Sequence, residues 1–244
     1  MRLLLLSNSK VEGMDYLEYA QGFLRDFLDG AVGEALFLPY AMVTRSYDDY
    51  VGQVRSAFRA LGVDVTGIHA HADPIAAVRA APAIVVGGGS TWKLLRDVRN
   101  AGLLHAIRDR VASGVPYIGW SAGANLACPT IMTTNDMPIC DPGGFDALGL
   151  VPFQVNPHYL HGNPPGHKGE TREERIAEFG VLHPRVWVAG LREGTGLRIE
   201  GRSARLLGPA PCRVFRHGEA PRELGAGDGF DFLMDAGPAP AGRP

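Results

Sequence analysis

Cysteine, net charge and long apolar runs are all scarce in this chain, and each shortage removes a class of function. Only three cysteines occur, Cys128, Cys140 and Cys212, with no C-x-x-C pair among them. Neither a disulfide framework nor a zinc cluster is therefore predicted, and the usage fits a reducing cytoplasm. Lysine and arginine number 24 against 26 acidic residues, so the chain lacks the one-signed charge that nucleic acid or an anionic membrane would select. The opening run Leu3-Leu4-Leu5-Leu6 is shorter than the roughly 7–15 apolar residues of a signal-peptide core and breaks at Ser7-Asn8-Ser9-Lys10. It reads as a first buried strand.

What is present is a repeated alternation of strand and helix. Apolar pairs recur at helical spacing from Tyr16 to Leu28, and Glu34 to Pro39 is a second strand candidate. Ser46 with Asp49 resembles a capping box, opening a helix that ends before Gly62. Val65 to His69 gives a third strand, Asp73-Pro74 caps a short helix, and Ala83 to Val86 is a continuous apolar strand of the kind buried in a parallel sheet. Phe153 to Asn156 is a candidate strand that delivers His158, Gly169 to Phe179 a charged helix, and Val186 to Leu191 a strand. The residues from Gly196 to Phe232 read as short strands that hairpin on the sheet edge. The expected architecture is one α/β domain over residues 1–234, a doubly wound, mostly parallel sheet between helical layers with C-terminal hairpin strands, followed by a frayed tail at 235–244.

The stretch that organises the chain is Val115 to Cys128, where an apolar strand meets Gly119-Trp120-Ser121-Ala122-Gly123 and passes into helix-compatible residues. Strand, Gly-x-Ser-x-Gly and helix together are the setting of a nucleophile elbow, with Ser121 at the tip. Earlier, Gly87-Gly88-Gly89-Ser90-Thr91-Trp92-Lys93 is a glycine-rich turn entering a helix. Trp92 occupies the third Rossmann glycine position and the spacing to Lys93 is not that of a Walker loop, so no nucleotide cofactor is expected. The turn is either a plain strand–helix connection or a source of backbone N–H groups for an oxyanion. His158, His161 and His167 fall within ten positions, but in a loop without His-Glu-x-x-His register, and no metal is expected.

These residues resemble the serine peptidase family S51 of α-aspartyl dipeptidases. The resemblance runs from Leu3–Ser9 through Val65–His69 and Gly87–Gly89, and is densest in Gly119 to Pro142, Asn156-Pro157-His158 and Gly166 to Glu173. It departs at His161 to Pro165, and at Arg192, where the family more usually has proline. It implies a cytoplasmic serine exopeptidase for dipeptides with N-terminal aspartate, on a fold akin to class I glutamine amidotransferases; the oligomeric state, monomer or homodimer, is not given by the sequence. Ser121 and His158 carry over as nucleophile and base, and two acids are offered for the third role, Asp136 and Glu193. A strand end is the more rigid support, which favours Glu193 and leaves Asp136 to shape the site or hold the substrate's amino group. Ala122 and either Gly88 or Gly89 would supply oxyanion donors. Arg172, then Lys168, are the candidates for reading the aspartyl carboxylate. A thiol-dependent amidotransferase is excluded by Ser121, whereas a cyanophycinase-like peptidase or an esterase of the same fold would share the pattern; a non-catalytic binding domain would share the fold but has no reason to keep Ser121, His158 and two candidate acids together.

Overall fold

The computed structural model describes all residues except 31, 164, 165, 167 and 236–244. The chain runs β1 (Arg2–Leu6), α1 (Gln21–Leu28), β2 (Glu34–Leu38), α2 (Tyr47–Arg59), β3 (Asp64–Gly67), α3 (Pro74–Ala80) and β4 (Ile84–Val86). It continues through α4 (Thr91–Asn100), α5 (Leu103–Ala112), β5 (Tyr117–Trp120), α6 (Ala122–Ala127), β6 (Gln154–Asn156), α7 (Arg172–Leu182) and β7 (Val188–Gly190). Four short strands close it, β8 (Gly196–Glu200), β9 (Ser203–Leu207), β10 (Cys212–Phe215) and β11 (Arg222–Leu224).

Seven strands form the central sheet in the order β3-β2-β4-β5-β1-β8-β9, parallel through β1 and antiparallel at β8 and β9. Side chains alternate between the faces of a strand, so a sheet covered on both sides needs apolar residues at every position. β1 meets this demand: Leu3 and Leu5 enter one core cluster with α4 and α5, while Leu4 and Leu6 enter another with α1 and α2. The same split divides Leu36 and Leu38 from Phe37, and Ile84 and Val86 from Val85. That partition gives the expected three layers. Ser46 and Asp73 cap α2 and α3 by accepting from the N–H of Asp49 and Ala76.

Several expectations need correction. The helical pattern from Tyr16 breaks at Leu17, whose φ is 58°, into a 3-10 turn (Glu18–Ala20) and α1. Asp64–Gly67 is the third strand, and Ile68–Ala70 turns as a 3-10 helix. The charged helix starts at Arg172 because Thr171 and Glu174 form a reciprocal capping box, and it runs on to Leu182. β6 and β7 leave the central sheet for a second one, ordered β11-β10-β7-β6, so only the β8–β9 hairpin edges the main sheet. One cluster still joins the two sheets, because Val155, Ala189, Cys212 and Val214 pack with Leu3, Leu5 and Leu197. Asp235 ends a 3-10 helix, and the rest of the predicted tail lies outside the described residues. No helix among the described residues is long and apolar enough to cross a membrane.

The turn from β5 to α6 is the tightest place in this core. A Cβ on Gly123 would stand 2.2 Å from the Val86 carbonyl oxygen, and one on Gly119 would stand 2.4 Å from the Gly123 oxygen. Tyr117 Oη donates to that same Gly123 oxygen at 2.7 Å. Gly123→Ala should therefore destabilise the protein by about 2–3 kcal/mol, lowering the melting temperature by roughly 4–12 °C. Gly52→Ala, inside α2 with open space around it, should instead gain about 0.5–1 kcal/mol. Equal melting temperatures for the two variants would contradict this packing.

Candidate active site

The carboxyl ends of parallel strands carry their backbone termini toward one edge, and the candidate site gathers there. Ser121 follows β5 directly, with φ 52° and ψ −112°. A non-glycine residue in that region costs on the order of 1–3 kcal/mol, and it is tolerated here because β5 and α6 are both fixed by packing. The Ser121 N–H is spent on the Leu6 carbonyl of β1 at 3.1 Å, while Ala122, the first helical residue, has no carbonyl acceptor among the described residues.

The Ser121 hydroxyl faces one side chain. His158 Nε2 lies 3.0 Å from Ser121 Oγ, and His158 Nδ1 lies 2.8 Å from Glu193 Oε1. This is the spatial arrangement of nucleophile, base and orienting acid, with nitrogens on opposite sides of the ring serving the two partners. Its support is the second sheet. β6 and β7 pair in parallel, Asn156 against Gly190, and the ladder continues as Leu191 N–H donates to Asn156 O and Tyr159 N–H to Leu191 O. His158 is thereby bracketed on one strand extension and Glu193 follows on the other. Glu193 was favoured from sequence as the end of a strand in the main parallel sheet; its strand belongs to the smaller sheet and is parallel to the one that delivers His158.

Asp136 is engaged elsewhere. Its Oδ2 accepts from the Thr91 N–H at 2.7 Å, at the first turn of α4, and its carbonyl accepts from Trp92 Nε1 at 3.0 Å. No hydrogen bond or ion pair links it to His158 among the described residues. Arg172, first residue of α7, donates to the carbonyl of Pro157 at 3.3 Å, one residue before His158. Burial pushes its guanidinium below the ordinary value, against the opposing pull of Glu193; arginine nonetheless keeps its charge. Arg172 and Asp136 line one groove of about 620 Å³ together with Thr133, Asn135 and Asn156. Lys168 is exposed on the preceding loop. Gly88 packs against the elbow, where a Cβ would meet Ser121 Cβ at 3.1 Å, and Gly89 follows it with φ 133°.

Two other readings of the sequence meet their geometry here. Lys93 donates to Tyr40 O, Tyr47 Oη and Asp97 Oδ2 at 3.0, 2.6 and 2.6 Å, so its charge is consumed within the fold. His161 pairs with Glu173 at 3.2 Å rather than with His158, and His167 lies outside the described residues. Among the described residues no group of three His, Cys, Asp or Glu side chains could share a metal ion. Cys128, seven residues past the serine, is fully buried, and burial pushes its thiol up to about 12.

Sequence reasoning missed the residues that hold the site together. Ser7, fully buried, accepts from the His158 N–H at 2.8 Å and donates to Leu191 O at 2.8 Å, tying β1 to both halves of the His–Glu pair. His158 needs that support, since its own φ is 54°. Asn8 Oδ1 accepts from the Gly194 N–H at 2.9 Å, next to Glu193. Asn125 Nδ2 and Thr133 Oγ1 both donate to Val155 O, at 2.7 and 2.9 Å, and so bind β6 to α6 and to the loop that follows it. The only sequence signal was polarity out of place, Ser-Asn ending a leucine strand and Asn inside a small-residue helix. Arg192, next to Glu193, is held by Glu223 through two bonds of 2.7 Å.

Comparison with known proteins gives a consistent result. The sequence model of Peptidase family S51 matches residues 3–207. Curated proteins named Peptidase E from Salmonella newport and Citrobacter koseri are 51% and 52% identical over 230 residues, covering 94% of this chain and 100% of each relative. The crystal structure of a peptidase from an acI-B1 Actinobacterium superposes with a TM-score of 0.68 at 17% identity, over 93% of this chain and 95% of that one. A Listeria monocytogenes protein gives 0.66 at 23% identity, over 86% and 98%. At such identities these two structures speak for the fold.

The two acids make different kinetic predictions. Glu193→Gln should lower kcat on Asp-Leu by roughly 10⁴, as expected when the base loses the partner that fixes its tautomer. Asp136→Asn should act mainly on KM, as loss of a binding contact does. Steady-state kinetics of both variants decide the matter, and a kcat collapse at Asp136 with a KM effect alone at Glu193 would reverse the assignment.

Proposed function

The chain belongs to peptidase family S51, and from that premise we propose that it is a serine exopeptidase releasing aspartate from the N-terminus of dipeptides, with Ser121, His158 and Glu193 as its triad. The observation that carries this reading is the imidazole of His158 within hydrogen-bond reach of both Ser121 Oγ and Glu193. A serine hydroxyl is a weak nucleophile at neutral pH until a base takes its proton. Nε2 receives that proton as Oγ attacks the scissile carbonyl, and Glu193 holds Nδ1–H and stabilises the imidazolium. The same proton then passes to the leaving amine, and the aspartyl ester on Ser121 is hydrolysed by a water activated on the same nitrogen. The developing oxyanion is met by the N–H of Ala122 and one from the Gly88–Gly89 turn.

Substrate selection follows from the charges lining the groove. An N-terminal aspartate offers a side-chain carboxylate and an ammonium group close together. Arg172 is half-buried, bonded to the carbonyl of the residue before His158, and suits bidentate capture of the carboxylate, which the exposed Lys168 does less well. Asp136 keeps one carboxylate oxygen beyond the one that accepts from the Thr91 N–H, and that oxygen serves the ammonium. The three free thiols fit a cytoplasmic setting.

Product analysis with Asp-Leu, Leu-Asp and N-acetyl-Asp-Leu tests the reading: Asp-Leu alone should be cleaved, and equal cleavage of the acetylated peptide would contradict exopeptidase action. Arg172→Met should lower kcat/KM for Asp-Leu by roughly 2–4 kcal/mol, the scale of losing one partner of a buried charge pair. An unchanged preference for Asp-Leu over Asn-Leu would clear Arg172 of the role.

A further inference from the structure

The peptide between Gly88 and Gly89 has its orientation set by a single phenol. Tyr50, buried on α2, donates through Oη to the Gly88 carbonyl at 3.0 Å and accepts from Trp120 Nε1 at 3.3 Å. Tyr16 Oη, 3.2 Å away, donates to Tyr50 Oη. The ring is fixed by edge-on packing against Phe37, centroids 4.9 Å apart. Glycine at position 87 makes room for this hydroxyl, since a Cβ there would stand 2.5 Å from Tyr50 Oη. Burial holds the phenol above its ordinary pKa, so it remains a donor.

A trans peptide points its carbonyl and the following N–H in opposite directions. No cis bond occurs among the described residues, so with the Gly88 carbonyl turned toward α2, the Gly89 N–H is turned away from α2. That N–H has no acceptor among the described residues, and the turn that carries it lies against Ser121. Glycine is required at 89 as well, because a Cβ would fall 2.4 Å from the Ala41 carbonyl oxygen. One hydroxyl therefore ties Trp120, the residue before the nucleophile, to the turn that faces it.

We propose that Tyr50 is a positioning residue that, by holding the Gly88 carbonyl, aims the Gly89 N–H at the oxyanion beside the N–H of Ala122. This rests on the serine-peptidase reading above. When the Ser121 Oγ–carbon bond forms, the carbonyl π pair moves onto oxygen and the hydroxyl proton moves to His158 Nε2; Gly89 then donates to the new negative charge. A donor already fixed in direction loses no energy to reorganisation at that moment. Without Tyr50 Oη the peptide is free to turn, and the Gly88 carbonyl is left unpaired.

Tyr50→Phe keeps the ring and its packing and removes one oxygen. The variant should lower kcat on Asp-Leu by about 10–100-fold, short of the roughly 10²–10³ lost with a whole oxyanion donor. Affinity for the α-aldehyde of aspartate, which adds Ser121 Oγ to form a tetrahedral adduct, should fall by the same factor. KM and affinity for aspartate itself should stay within about twofold, since ground states do not use the donor. In the wild-type enzyme the Gly89 amide proton should move downfield in the NMR spectrum when the aldehyde adduct forms, which needs no variant to fold. Retention of kcat, an equal loss of aspartate affinity, or a downfield shift at Gly88 in place of Gly89 would each overturn the role of Tyr50. Wild-type enzyme inert toward Asp-Leu would overturn the peptidase reading along with it, a result seen before any variant is made.

Discussion

The imidazole of His158 has to stand at hydrogen-bond distance from two side chains at once, and backbone bonds hold it there. The parallel pairing of β6 with β7 sets the spacing between His158 and Glu193. Ser7 joins that pair to β1, which is also where the elbow amide of Ser121 is bonded. The central sheet and the small sheet thus meet at the end of one leucine strand. Because these links are backbone and hydroxyl hydrogen bonds in buried or half-buried places, breaking a buried one leaves an unsatisfied group at a cost of about 1–3 kcal/mol, and the geometry of the three side chains is correspondingly stiff.

Charge is arranged so that little of it competes with this site. Arg192 is clamped by Glu223, Arg213 by Glu173 and Glu223, and Lys93 by Asp97. Arg172 has no carboxylate at ion-pair distance among the described residues; it lines the groove with Asp136 and donates to the Pro157 carbonyl next to His158. A cation that is half desolvated and unneutralised is the kind of group that gains most from an incoming carboxylate. Arg192 fixes the approach to Glu193 by a bidentate ion pair with Glu223 on the strand β11.

Local signals in the sequence carried far. Leu3–Leu6, the caps at Ser46 and Asp73, and Gly119 to Gly123 were legible because helix caps, buried strands and tight turns are decided by residues a few positions apart. Thr171 with Glu174 carried the same kind of signal and went unread, which misplaced the start of α7. What could not be read depends on distant pairing. Nothing local says that β6 and β7 leave the main sheet, or that Asp136 bonds Thr91, 45 positions away. Ser7 bonds His158 across 151 positions and Tyr50 bonds Gly88 across 38. The family resemblance offers two acids, and the contact that sets Glu193 beside His158, with Asp136 on Thr91, depends on the register of a distant two-strand ladder.

The proposed chemistry begins with attack by the Ser121 hydroxyl, and removing its oxygen tests that most directly. Turnover of Asp-Leu by Ser121→Ala, measured with its melting curve, should fall by roughly 10⁴–10⁶ at an unchanged melting temperature. A variant that melts normally and keeps more than about a tenth of wild-type turnover would show that the peptide bond is broken by some other group.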